Sequence, residues 1–426
     1  SVTIVPSCGE RYLSTVLFQH LEVCVWIQLN FDFDRPIDFR NGDSVKWNRY
    51  ADRDVLPLWV ADMDFASPPA VVEALQRRVA RATFGYAEPW PSLVESVQQH
   101  LAHEYSWDIE PDWLVWLPGL VAGLNVACRA VDGSVLTATP VYQPFLSAPE
   151  LSRRTLINVP LLLANGGWEW DFPATAAALA LRPDTRLLLL CHPHNPVGRV
   201  WRDAELREIA TLAEQHDLIV CSDEIHCDLV LDRTLRHRPF AKISPESARR
   251  SITLMAPSKT FNIAGLGCAF AIIPDNSLRR AFRSVMQGIV PHVNALGLTA
   301  CEAAFRDGGA WHAAVLDYLR GNRDLVEAEI PRIPGLSMCH VEATYLAWID
   351  ARQLCATHGI HNPQHFFEQG GVGLSEGDDF FCKQPKRDQV YASNQNRSFV
   401  RLNFACPREM LHLALERMRE AAQTRV

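Results

Sequence analysis

Short apolar runs alternate with stretches of helical period through the middle of the chain. Residues 113–117, 135–138, 186–191, 218–221 and 251–255 are dominated by Leu, Val, Ile and Trp and are bounded by Gly, Pro, Asp or Ser, the pattern of buried strands. Residues 69–82, 92–105, 205–216, 294–305 and 311–330 repeat apolar positions every three to four residues and are predicted to be helices. Pro68-Pro69 suits the first turn of the first of these. Strands alternating with helices predict an α/β fold with a mainly parallel sheet. Residues 345–349 and 399–404 read as strands of a second, C-terminal region, and residues 55–65 as a short strand feeding a loop.

At 426 residues the chain can bury a large core, and 48% hydrophobic with 21% charged residues is ordinary for a globular protein. A net charge of −8 gives no electrostatic reason to expect nucleic acid or an anionic membrane as partner. Twelve cysteines without a C-x-x-C pair read as scattered core thiols of a reducing cytoplasm, not as a disulfide frame or zinc site. Residues 12–29 are apolar but interrupted by Gln19, His20 and Glu22. They are too broken to span a bilayer and are expected to form an amphipathic arm.

Three polar residues stand just beyond strand ends. Asn195 follows 186–191, Asp223 follows 218–221 and Lys259 follows 251–255. In open α/β sheets, ligands bind beyond the carboxyl ends of the strands. A desolvated lysine amine attacks aldehydes. A carboxylate such as Asp223 keeps a pyridine nitrogen protonated and electron-withdrawing, while Asn195 and His226 suit a phenolic oxygen on the same ring. Small residues after Gly119 leave free backbone N–H groups at a helix start, a natural phosphate seat. The competing metal reading, through His192, His194, His226 and Cys227, suffers from Pro193 and Pro196, which spoil a helical ligand face.

Taken together, the stretches VLPLWVADMDF (55–65), FGY (84–86), PG (118–119), PVY (140–142), PHNPVGRVW (193–201), SDEIHCDLV (222–230), APSKTFNIAGL (256–266) and VRLNFACPR (400–408) resemble the fold type I pyridoxal-phosphate enzymes of the class I/II aminotransferase fold. The likeness is strongest to their MalY/PatB-type cystathionine β-lyase branch and runs from about residue 31 to 426. It implies a large pyridoxal-phosphate domain over 77–309 with a seven-stranded sheet. It also implies a small α+β domain from 31–76 and 310–426, and an N-terminal arm over 1–30. Residue by residue, it makes Lys259 the Schiff-base lysine and proton shuttle, and Asp223 the partner of the ring nitrogen. Asn195 and His226 would lie by the ring oxygen, and Tyr142 would stack on the ring. The phosphate would sit on Val121, Ala122 and Ser258, with Tyr86 reaching it from the other subunit of a homodimer. Arg401, with Asn195 and Trp59, would bind the amino-acid substrate.

The branch implies carbon–sulfur β-elimination from an S-substituted L-cysteine, yielding thiol, pyruvate and ammonia. Transamination, oxidative deamination coupled to decarboxylation of a cysteine S-conjugate, and a non-catalytic regulatory role share this apparatus and stay open at this level. Departures from the branch are His192 where asparagine is usual, the turn Leu120-Val121-Ala122-Gly123, and Ala256 where a hydroxyl is common. The long polar segment 381–398 is expected either to be a mobile surface loop or to line the entrance for a bulky S-conjugate.

Overall fold

Seven strands form the central sheet of a computed structural model whose described residues are 31–39, 42–382 and 398–423. In chain order they are β1 (Leu114–Leu117), β2 (Ser134–Thr139), β3 (Leu156–Pro160), β4 (Thr185–Cys191), β5 (Ile219–Asp223), β6 (Ser251–Met255) and β7 (Ala269–Ile272). Their spatial order is β1-β7-β6-β5-β4-β2-β3. The pairs from β6 through β3 are parallel, while β7 is antiparallel to both neighbours. The strands β2, β4 and β6 are almost entirely buried, as strands of a sheet covered on both faces are. The strands β3 and β7 escaped the pattern reading. Asn158 and Pro160 interrupt the apolar run of β3, and the alanines of β7 carry little strand signal.

Helix α1 (Pro69–Ala80) stops short of the expected residue 82 because Ala82 turns left-handed at φ 53°. Helix α2 (Pro91–Tyr105) and the helix after Gly119, α3 (Leu120–Ala130), follow. A methyl at Gly123 would meet Leu254 Cδ2 at 2.9 Å. Glycine in this turn therefore lets α3 press directly on β6, which accounts for its departure from the expected motif. Trp113 belongs to a 3-10 turn, Pro111–Trp113, not to β1.

A second sheet has the order β8-β9-β11-β10, from β8 (Ser337–Met338), β9 (Leu346–Asp350), β10 (Ser375–Glu376) and β11 (Phe399–Asn403), and is antiparallel throughout. Long helix α4 (Gly309–Glu329) runs between the sequences of the two sheets. Residues 55–65 contain only a two-residue strand, Leu56–Pro57, paired with Val372–Gly373. The rest of that segment is held by side chains, as described below. The expected arm over residues 1–28 lies outside the described residues. Among the described residues, no helix is long and apolar enough to cross a membrane.

Candidate active site

The segment around Ala61 is irregular because two asparagines hold its backbone in place of a sheet partner. Asn403, on β11, donates from Nδ2 to Val60 O and Asp62 O, both at 2.6 Å. Asn262, three residues after Lys259, accepts from Met63 N at 3.0 Å and donates to Met63 O and Phe65 O at 2.9 and 2.8 Å. The same strand also carries Arg401, so the arginine strand and the lysine turn are tied to one strip of main chain. The result is a cavity of about 440 Å³ between the carboxyl edge of the large sheet and the face of the small one.

Lys259 faces this cavity and donates from Nζ to Ala61 O at 2.6 Å. Desolvation lowers its pKa to about 8, with Arg401 acting in the same direction and Asp62 and Asp223 opposing. Asp223, at the end of β5, is buried and its pKa is pushed up to about 7 by that burial. One of its oxygens accepts from Ile225 N at 3.2 Å. Tyr345, which the sequence reading passed over, donates to the same Ala61 oxygen at 3.0 Å and sets its ring edge-on to His226, 6.0 Å between centres. His226 is buried, its pKa depressed to about 3 by burial, and its Nδ1 has no partner among the described residues.

Arg401 is buried beneath the cavity. Its Nη1 donates to Asn195 Oδ1 at 3.1 Å, and its Nη2 to Trp59 O at 2.9 Å and Ser375 Oγ at 3.1 Å. Among the described residues its Nε has no partner. Burial depresses its pKa to about 10, still far above neutrality, so it stays cationic. The guanidinium also sits over Phe380, 4.9 Å from the ring centre. Tyr142 also borders the cavity, its N–H donating to Asn195 O at 3.1 Å.

The first turn of α3 has no side-chain cap to take its N–H groups, and Val121 and Ser258 border the cavity at that end. Ala122 follows Val121 in the same turn but is not in the cavity wall. Tyr86 is fully exposed and does not line the cavity of its own chain. Trp59 does. The structure thus brings Lys259, Asp223, Asn195, His226, Tyr142, Val121, Ser258, Trp59 and Arg401 into one wall system, with Ala122 adjoining it and Tyr86 apart. Arg49, Gln364, Ser375 and Phe380 also line it and were not singled out from the sequence. No motif marks them, since they come from segments remote from the lysine turn.

The departures find local explanations. His192 lies outside the cavity wall in a buried cluster, its ring tilted against His237 at 4.3 Å between centres, while His237 meets Glu224 at 2.6 Å. Ala256 is packed in the apolar core on one face of the large sheet. His194 Nε2 bonds Pro140 O at 2.8 Å, and among the described residues no three His, Cys, Asp or Glu side chains form a metal-holding group. Most of the 381–398 loop lies outside the described residues.

The chemistry of this donor set fits the cofactor that the sequence resemblance implies. An open helix N-terminus suits a phosphate. Among the described residues the buried carboxyl of Asp223 has no cation in contact, and the lysine amine is already partly neutral near pH 8.

Comparison with known proteins agrees with this geometry. Cystathionine beta-lyase PatB of Bacillus subtilis (strain 168) is 34% identical over 402 residues, covering 92% of this chain and 99% of that protein. The crystal structure of OvoB superimposes with a TM-score of 0.86 at 46% identity, covering 92% of this chain and 100% of that one. The PLP-bound C-S lyase from Staphylococcus hominis has a TM-score of 0.84 at 29% identity, covering 93% and 99%. The family model for aminotransferase class I and II matches residues 53–418. With its lysine turn, strand-end aspartate and buried arginine in one cavity, the chain belongs to the aminotransferase class I and II family.

Proposed function

We propose that the protein is a pyridoxal 5′-phosphate-dependent carbon–sulfur β-lyase that cleaves S-substituted L-cysteines to thiol, pyruvate and ammonia. The observation that carries the reading is the convergence of Lys259, Asp223, Asn195 and Arg401 on one cavity. Two relatives described as carbon–sulfur lyases, aligned over nearly the whole chain, support it. Lys259 would hold the cofactor's aldehyde carbon, Asp223 its ring nitrogen, Asn195 and His226 its ring oxygen, and Tyr142 its ring face. Val121, Ala122 and Ser258 would hold the phosphate. When bound, the cofactor supplies an electron sink for the pair left by a broken bond at the substrate Cα.

The chain's own residues then do the following work. Arg401 and Asn195 grip the substrate α-carboxylate, the guanidinium using its planar fork. That grip, with Trp59 beside it, orients the Cα–H bond toward Lys259. Lys259 takes the proton from Cα as a general base. Its lowered pKa leaves much of it neutral near pH 8, the form that can accept that proton. The Cβ–S bond breaks with its electron pair leaving on sulfur, and the thiolate gains a proton to become thiol. Water completes the products by releasing ammonia and pyruvate.

The fully exposed Tyr86 is assigned to the phosphate of a neighbouring subunit, which makes the working unit a homodimer. The described cysteines are mostly buried, in keeping with a reducing cytoplasm.

The experiment is an assay of thiol and pyruvate released from S-alkyl-L-cysteines by purified holoenzyme. Equal amounts of both products are expected. Release of neither overturns the lyase reading, and amino transfer that requires an added α-keto acid replaces it with an aminotransferase.

A further inference from the structure

Three cationic side chains line the cavity among the described residues, namely Arg49, Lys259 and Arg401. The reading above uses two of them. Arg49 is left over, and its placement is specific. Its guanidinium carbon lies 4.6 Å from the centre of the Trp59 ring and 5.6 Å from that of Tyr50. Among the described residues it makes no side-chain hydrogen bond or ion pair. Trp59 is itself fixed, because its Nε1 donates to Lys46 O at 3.1 Å. The Trp59 carbonyl accepts from Arg401 Nη2 at 2.9 Å and from Ser375 Oγ at 2.7 Å.

One residue therefore joins the two guanidiniums. Its main chain is held by the buried Arg401, and its ring supports the exposed Arg49. Stacking occupies the face of a guanidinium and leaves its in-plane N–H edge open to a carboxylate. The carboxyl groups of the wall, Asp223, Glu376 and Asp379, cannot serve that purpose. Glu376 Oε1 already accepts from Asn362 Nδ2 at 2.9 Å.

We propose that Arg49 is a specificity-determining residue that selects S-substituted cysteines whose sulfur substituent ends in a carboxylate. The assignment rests on the carbon–sulfur lyase reading. Arg401 takes the α-carboxylate beneath the cavity and Arg49 takes the distal carboxylate at its rim, with the thioether between them.

The test uses ligands that have no leaving group, so binding is measured apart from cleavage. 2-Aminoheptanedioate is the thioether-to-methylene analogue of S-(2-carboxyethyl)-L-cysteine, and 2-aminoheptanoate ends in methyl instead. Calorimetric titration of the holoenzyme is expected to show the dicarboxylate binding about 10-fold tighter or more, the size of one good charge-assisted contact. Arg49→Gln is expected to bring the ratio close to one while leaving 2-aminoheptanoate binding unchanged, and Arg49→Lys to retain part of the preference. No preference in the wild-type protein, a preference that survives in Arg49→Gln, or an equal loss for both ligands overturns the assignment. Pyruvate release from S-(2-carboxyethyl)-L-cysteine, assayed in parallel, reports on the lyase reading alone. A binding preference without pyruvate keeps the carboxylate-reading role of Arg49 and removes the carbon–sulfur chemistry.

Discussion

Two lysines flank the strip of main chain around Asp62, and their surroundings drive them in opposite directions. Lys46 is almost wholly buried and pairs with Asp64 at 2.7 Å and Asp62 at 3.4 Å. Burial would lower its pKa, but the two aspartates outweigh that and hold it above its ordinary 10.5. Lys259 faces the cavity and, among the described residues, its amine bonds a carbonyl oxygen and no carboxylate, so desolvation wins and its pKa falls to about 8. The difference lies in the partner and not in burial alone. A carboxylate in contact makes a structural cation, whereas a carbonyl leaves an amine that can lose its proton near neutrality.

The contrast can be broken most severely at Lys259. Lys259→Ala is expected to lower the rate of pyruvate release from S-alkyl-L-cysteines by about 10,000-fold or more, as loss of a residue that both binds and shuttles a proton does. Its unfolding midpoint in urea should stay near that of the wild-type protein. A variant with near-normal turnover would place the chemistry elsewhere.

Lys46→Met is expected to do the reverse. It strands the buried Asp64 and should cost about 3–5 kcal/mol of unfolding free energy in a urea titration. Because the folded pKa of Lys46 is raised, its contribution is fully present below pH 10.5 and is lost as the pH climbs through the raised value. The gap between wild-type and variant should therefore close only in strong alkali.

A smaller effect is expected at the tie between the two regions. Asn403→Ala removes two 2.6 Å hydrogen bonds to Val60 and Asp62 and an acceptor for Ala405 N at 2.8 Å. It should cost about 1–3 kcal/mol in the same titration, through unsatisfied backbone groups. The smallest effect sharpens the comparison directly. Acetylation of the cofactor-free protein, followed residue by residue by mass spectrometry, should modify Lys259 with an apparent pKa of about 8. Lys46 should stay protected until the chain unfolds.

The legible part of this protein was the part written locally. The unbroken apolar run of β4 can be satisfied only inside a covered sheet, and β6 ends where the sequence pattern said it would, four residues before Lys259. Asn195, Asp223 and Lys259 were readable because each follows a strand end, and parallel strands place such ends on one edge. The strands β3 and β7 and the side-chain lacing of residues 58–65 were not readable. An alanine-rich strand is chosen by its neighbours, and an irregular segment is held by asparagines that are about 200 and 340 residues away along the chain.

The same division runs through the site. The sequence alone determined which groups could do the chemistry, because an amine, a carboxylate and a guanidinium keep their character wherever they stand. Only the tertiary structure decided that Ala61 and Tyr345 set the environment of the lysine. It alone put Arg49 on the face of Trp59, turned His192 away into a buried cluster, and set Lys46 against carboxylates and Lys259 against a carbonyl. Desolvation and the nearest charge fix a proton affinity, and both depend on what lies within a few ångströms in space, which spacing along the chain does not encode.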